Sequence, residues 1–128
     1  RRELGFIKKA HTRKSVLVQY VDDEMKVVYP DKNYQCATNF LLTNPDAEFN
    51  FGQDRYQIID EKLNSSNGVL TSHEAMQLLS DCSQDAHKNK QGKISKTQWS
   101  CVYDLKKKRV TICVNQNYDT EYSINVVE

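Results

Sequence analysis

The chain has 128 residues, enough to bury the core of one domain, and a formal net charge of +1. Acidic and basic residues nearly balance, so charge gives no reason to invoke nucleic acid or an anionic membrane surface. A hydrophobic fraction of 38% and a mean hydropathy of -0.74 indicate a well-solvated piece or one finished by a partner; the residues predict neither a bilayer-spanning run nor a signal peptide.

In chain order, residues 1–14 are basic and read as a helix remnant or a surface connection. The chain begins Arg1-Arg2, which predicts processing, trimming or expression as a fragment. Ser15 to Val21 is rich in β-branched residues and predicts a strand. Asp22-Asp23-Glu24 is a polar turn, and Met25 to Tyr29 continues as the second arm of a hairpin. After the turn Pro30-Asp31-Lys32-Asn33, Tyr34 to Thr38 predicts a third strand, ending at Asn39.

Asn39 to Gly52 reads as a long loop containing Asn44-Pro45-Asp46, Phe49 and Phe51. Gln53 to Leu63 is helical, with Tyr56, Ile59 and Leu63 on one face and Ile58 beside them, and Asn67-Gly68 stops it. Thr71 and Glu74 form a capping box, and Ala75, Leu78, Leu79 and Cys82 follow at helical spacing. Ser83 to Gly92 is polar and reads as mobile. Lys96 to Leu105 and Arg109 to Val114 predict a hairpin turning at Lys106-Lys107-Lys108, and Tyr122 to Val127 predicts a last strand. The order β-β-β, α-α, β-β-β points to an α+β fold in one unit spanning residues 1–128, with antiparallel sheets and two helices packed on one face.

Asparagine at a strand end can aim its side-chain N–H at a developing oxyanion, a contribution worth about 3–4 kcal/mol of transition-state stabilisation. It can equally just turn the chain, and the local sequence alone favours that role for Asn39. Arg55 opens the first helix and borders its apolar face. There it can hold a carboxylate or a substrate oxygen with two parallel donors, or pair at the surface with Asp54 or Glu48.

Cys36, Cys82, Cys101 and Cys113 show no CxxC spacing, which argues against zinc; buried free thiols are the better reading, and a disulfide and the compartment stay open. No histidine neighbours Cys36 in sequence, so core packing is favoured over a nucleophilic role. His11, His73 and His87 lie in polar contexts and read as surface residues. Residues 87–98 superficially follow the register of a calcium loop but lack its carboxylates, so calcium is rejected. Lys106 to Arg109 reads as a solvated hairpin tip, without the flanking aromatic platform that single-strand binding would want.

Three blocks together resemble the superfamily of choloylglycine hydrolase, acid ceramidase and penicillin acyltransferases, N-terminal-nucleophile amidases with an αββα sandwich. The first is Cys36-Ala37-Thr38-Asn39-Phe40, similar to a family strand ending in Thr-Asn. The second is Asp54-Arg55-Tyr56 at the start of a helix. The third is the hairpin strand from Thr97 to Leu105, Thr-Gln-Trp-Ser-Cys-Val-Tyr-Asp-Leu, with its lysine-rich turn. Leu78-Leu79-Ser80-Asp81 is similar to a helix of the same family. The resemblance covers about residues 25–115.

The resemblance implies the C-terminal half of such an enzyme, cleaving linear, non-peptide C–N amide bonds through an acyl-thioester, with water or another acceptor completing the reaction. Asn39 would be the oxyanion asparagine and Arg55 would orient substrate or a site carboxylate. Phe40, Phe49 and Phe51 would line an acyl pocket, core packing being an equal alternative for each. The later strand carries Thr97-Gln98 where the bile-salt branch has an arginine, which leans the resemblance towards the ceramidase and acyltransferase-like branches. No metal or organic cofactor is implied, and the expected ligand is a small N-acyl amide. The family nucleophile is a cysteine at a free N-terminus with its own α-amino group as base, and position 1 here is Arg. A second chain or an N-terminal segment is therefore expected to supply it. The alternatives are a non-catalytic α+β interaction domain and a family member that has lost activity.

Overall fold

A computed structural model describes residues 3–9 (backbone alone), 14–46, 51–89 and 91–126. The class is α+β, with two helices and three small antiparallel sheets among the described residues, and the chain divides into two compact units, Arg1–Gly68 and Val69–Glu128. No helix among the described residues is long and apolar enough to cross a membrane.

The first unit is built on a three-stranded sheet of order β1-β2-β3, formed by Glu3–Lys9, Lys14–Val21 and Glu24–Val28. Its middle strand is the one the sequence predicts, and on it Leu17, Gln19 and Val21 are buried, two residues apart on one face. Asp22 and Asp23, both at positive φ (52° and 63°), turn the β2–β3 hairpin in two residues, the backbone twist that tight hairpins favour. Gln19 is fully buried, and its Oε1 accepts from the Thr43 N–H and hydroxyl at 3.2 and 3.1 Å. That amide ties the loop after Asn39 to the sheet.

Two expectations are corrected here. Residues 3–9 are a strand rather than a helix remnant, and they supply the third strand of this sheet. Tyr34 to Thr38 is not a strand. Its side chains make hydrogen bonds outside any ladder. Gln35 Nε2 donates to the Val28 carbonyl at 2.8 Å, and the Tyr34 hydroxyl donates to Asp60 Oδ1 at 2.9 Å. Pro30, with no N–H to give, interrupts the path from β3 into this segment.

Helix α1, Gln53–Ser65, starts from Gly52 in the left-handed region (φ 87°) and ends as Asn67-Gly68 predicts. Asn67 sits at φ 52°, its N–H reaches Asn64 O, and the Gly68 N–H reaches back to Leu63 O at 2.6 Å. These two bonds satisfy carbonyls that the last turn would leave unpaired.

In the second unit, α2 (Ser72–Asp81) begins with the predicted capping box. The Thr71 hydroxyl accepts from the Glu74 N–H, and the Glu74 carboxylate accepts from the Thr71 N–H. The helix packs on the sheet of β6 (Trp99–Asp104), β7 (Arg109–Val114) and β8 (Tyr122–Asn125). Buried here are Met76 and Leu78 of the helix and Ser100, Thr111 and Cys113 of the sheet. The Lys106–Lys108 tip turns as expected, with Asp104 Oδ1 accepting from the Lys107 N–H at 3.0 Å. Within the stretch that the sequence gives as mobile, β4 (His87–Lys88) pairs with β5 (Ile94–Ser95) just beyond it. Asn89 Oδ1 organises its turn by accepting from the N–H groups of Gln91 and Lys93.

Candidate functional site

The two polar residues singled out in the sequence meet in the first unit. Arg55 Nη2 donates to Asn39 Oδ1 at 2.8 Å. Asn39 is exposed, in a bend of the irregular segment rather than at a strand end, and Arg55 is half-buried in the first turn of α1. The bond uses the carbonyl end of the Asn39 amide and so leaves its Nδ2 hydrogens directed away from Arg55. An amide anchored by its oxygen presents a fixed N–H donor.

Gly52 makes this meeting possible. Its carbonyl accepts both the first helical bond, from the Tyr56 N–H at 2.9 Å, and the Thr38 hydroxyl at 2.7 Å. A Cβ on Gly52 would lie 2.6 Å from Arg55 Nη2 and 3.2 Å from Thr38 Oγ1. Thr38 and Asn39 on one side, and Gly52 and Arg55 on the other, therefore form one small polar cluster.

Of the phenylalanines expected to line a pocket, Phe40 is buried and meets the Tyr56 ring edge-on, with centroids 5.2 Å apart. Phe51 is exposed beside Gly52, and Phe49 lies outside the described residues.

A cavity of about 160 Å³ lies in the same unit, lined among others by Lys32, Tyr34, Cys36, Leu42, Tyr56 and Asp60. Asn39 and Arg55 do not line it. Lys32 Nζ bonds the Tyr34 hydroxyl at 2.8 Å and Asp60 Oδ1 at 3.3 Å. Those hydrogen bonds, Tyr34's foremost, raise the Lys32 ammonium above the usual lysine range. Sequence reasoning passed this cavity by. Its one local signal is the spacing of Tyr56 and Asp60, four apart on helix α1.

Cys36 faces Tyr56 in that cavity. Burial pushes the Cys36 thiol up, against a hydrogen bond with Tyr56 that lowers it. Burial, reinforced by the same bond, pushes the Tyr56 phenol up to about 12. Neither group is ionised near neutral pH, so the pair is not a nucleophile with its base. In the native protein, Cys36 is expected to react with iodoacetamide at pH 8 more slowly than in the urea-unfolded chain. Equal rates, followed by mass spectrometry of the peptide, would show an accessible thiolate and overturn the packing role.

All four cysteines are free thiols. His73 and His87 are exposed as expected, and His11 lies outside the described residues. Among the described residues, no cluster of three or more His, Cys, Asp or Glu could hold a metal ion.

Comparisons with protein-family models, curated proteins and solved structures returned no match to this chain. The functional reading therefore stands on the residues and their geometry.

Proposed function

We propose that the chain is the C-terminal part of a cysteine N-terminal-nucleophile amidase, which cleaves linear amides through an acyl-thioester and passes the acyl group to water or another acceptor. The observation that carries the reading is the Arg55–Asn39 hydrogen bond, which joins two of the residues on which the resemblance rests. In this scheme a partner segment supplies a cysteine at its free N-terminus, whose α-amino group, with a pKa near ~8, accepts the thiol proton. Attack on the amide carbonyl breaks the carbonyl π-bond and places negative charge on the oxygen. Asn39 Nδ2–H stabilises that charge, and Arg55 holds the Asn39 amide in place from its other end. Collapse expels the amine, which takes up a proton, and leaves a thioester for the acceptor to cleave. The substrate is an N-acyl amino acid, an N-acyl amine or a penicillin-type amide. The partner completes an αββα arrangement around the site.

The test combines intact mass of the native protein with assays on N-acyl amines, N-acyl amino acids and penicillin V. The expected result is a co-purifying chain that begins with Cys, together with amine release from at least one substrate. A native protein consisting of this chain alone, with no hydrolysis, would overturn the proposal in favour of a non-catalytic interaction domain.

A further inference from the structure

Two hydrogen bonds join adjacent residues of the irregular segment to the entry of helix α1. The Thr38 hydroxyl donates to the Gly52 carbonyl at 2.7 Å, and Arg55 Nη2 donates to Asn39 Oδ1 at 2.8 Å. No sheet ladder fixes this segment. Cys36 and Phe40 are buried on either side of it, and between those apolar anchors the polar pair Thr38-Asn39 is placed by side-chain ties. The Gly52 carbonyl is where the two sides are fastened. It accepts from the Tyr56 N–H at 2.9 Å, the first bond of the helix, and also from Thr38, so both of its lone pairs have a donor. The residue before Asn39 is thereby tied to the frame of the helix that carries Arg55.

The two ties are unlike in stiffness. Arg55 reaches Asn39 through a long side chain with many rotamers, which can follow the amide if the segment shifts. Thr38 is short and β-branched, with a restricted χ1, and it bonds a backbone carbonyl. It therefore sets the separation of the two backbones, while Arg55 sets the rotation of the Asn39 amide. The Thr38 bond is part-buried, so water does not fully replace a lost donor. The approach is also close: a Cβ on Gly52 would lie 3.2 Å from Thr38 Oγ1. Without Thr38, Arg55 can keep its bond to an Asn39 whose backbone has moved. A donor misplaced by about 1 Å can cost roughly 100-fold in rate.

We propose that Thr38 is a positioning residue for the oxyanion donor: through the Gly52 carbonyl, its hydroxyl holds the backbone of Asn39 where the Nδ2–H meets the developing charge. The catalytic consequence rests on the amidase reading, whereas the tie itself does not.

Thr38→Val keeps the branched shape and removes the donor. In the native assembly it is expected to lower kcat by roughly 10- to 100-fold with KM changed by less than about threefold. Thr38→Ser restores the hydroxyl and should recover most of the loss. In an Asn39→Ala background, Thr38→Val should add less than about threefold, because the group that it places is already gone. A Thr38 that serves stability alone would cost the same factor in both backgrounds, and that result would overturn the proposal. Wild-type kcat in Thr38→Val, or a raised KM with kcat unchanged, would overturn it too. Nitrogen-15 relaxation of the Asn39 side-chain amide gives a readout independent of turnover. Its order parameter is expected to fall in Thr38→Val into the flexible range, below ~0.6, and an unchanged value refutes the tie. Thr38→Ala is measured in the same way if the valine variant fails to fold. A wild-type assembly that releases no amine would remove the amidase reading, and a fall in the Asn39 order parameter would then leave the Thr38 tie standing.

Discussion

Asn39→Asp is expected to lower turnover of the assembled enzyme by roughly 100-fold or more, while leaving its thermal unfolding unchanged or slightly raised. The substitution separates the two ends of one side chain. The Asn39 carbonyl oxygen accepts from Arg55 Nη2 at 2.8 Å, and an aspartate keeps that bond and adds an ion pair. The Nδ2–H donor is lost, and a negative charge stands where the oxyanion should form. A structural Asn39, needed only to hold Arg55, would tolerate the change or gain from it. An oxyanion donor would not. Asn39→Ala removes both ends and should cost a similar factor in kcat, because the interaction is made in the transition state rather than with bound substrate. Wild-type turnover in Asn39→Asp would sink the oxyanion role and leave the Arg55 bond as a tie between loop and helix.

Much of the fold was legible wherever the controlling interaction was local. The capping box of α2 lies within four residues, Thr71 to Glu74, and formed as the sequence predicts. The same holds for the stop of α1 at Asn67-Gly68 and for the β6–β7 hairpin around its lysine-rich turn. The misses have a common cause. Tyr34 to Thr38 finds no place beside β2, whose two edges are taken by Glu3–Lys9 and Glu24–Val28. The side chains of this segment find their partners elsewhere, Gln35 Nε2 at the Val28 carbonyl and the Tyr34 hydroxyl at Asp60. Gln19 inside β2 was likewise beyond local reading, since the partner of its buried carbonyl oxygen is Thr43, 24 residues away. At the site, Asn39 and Arg55 could be chosen only through resemblance. Their 16-residue separation carries no period that a strand or helix would impose.

Gly52→Ala is expected to lower turnover by roughly 10- to 100-fold, a cost that small misplacements of a positioned group can carry, although Gly52 contributes no side chain to the cluster. Two effects are superimposed in this variant. At φ 87° an L-residue is strained, which should take about 1–2 kcal/mol from the stability of the first unit. Separately, the new methyl would lie 2.6 Å from Arg55 Nη2, a contact that requires the guanidinium to shift. Once displaced, it no longer anchors the Asn39 carbonyl, and the amide can rotate its donor off the oxyanion position. Gly52→Asn separates these effects. Asparagine tolerates the left-handed region, so it should recover part of the lost stability, yet it carries the same Cβ and should not recover turnover. Urea denaturation of both variants beside their kcat and KM supplies the comparison. A Gly52→Asn enzyme with wild-type kcat would show that Arg55 need not be held against Asn39, and that the glycine serves only the entry of helix α1.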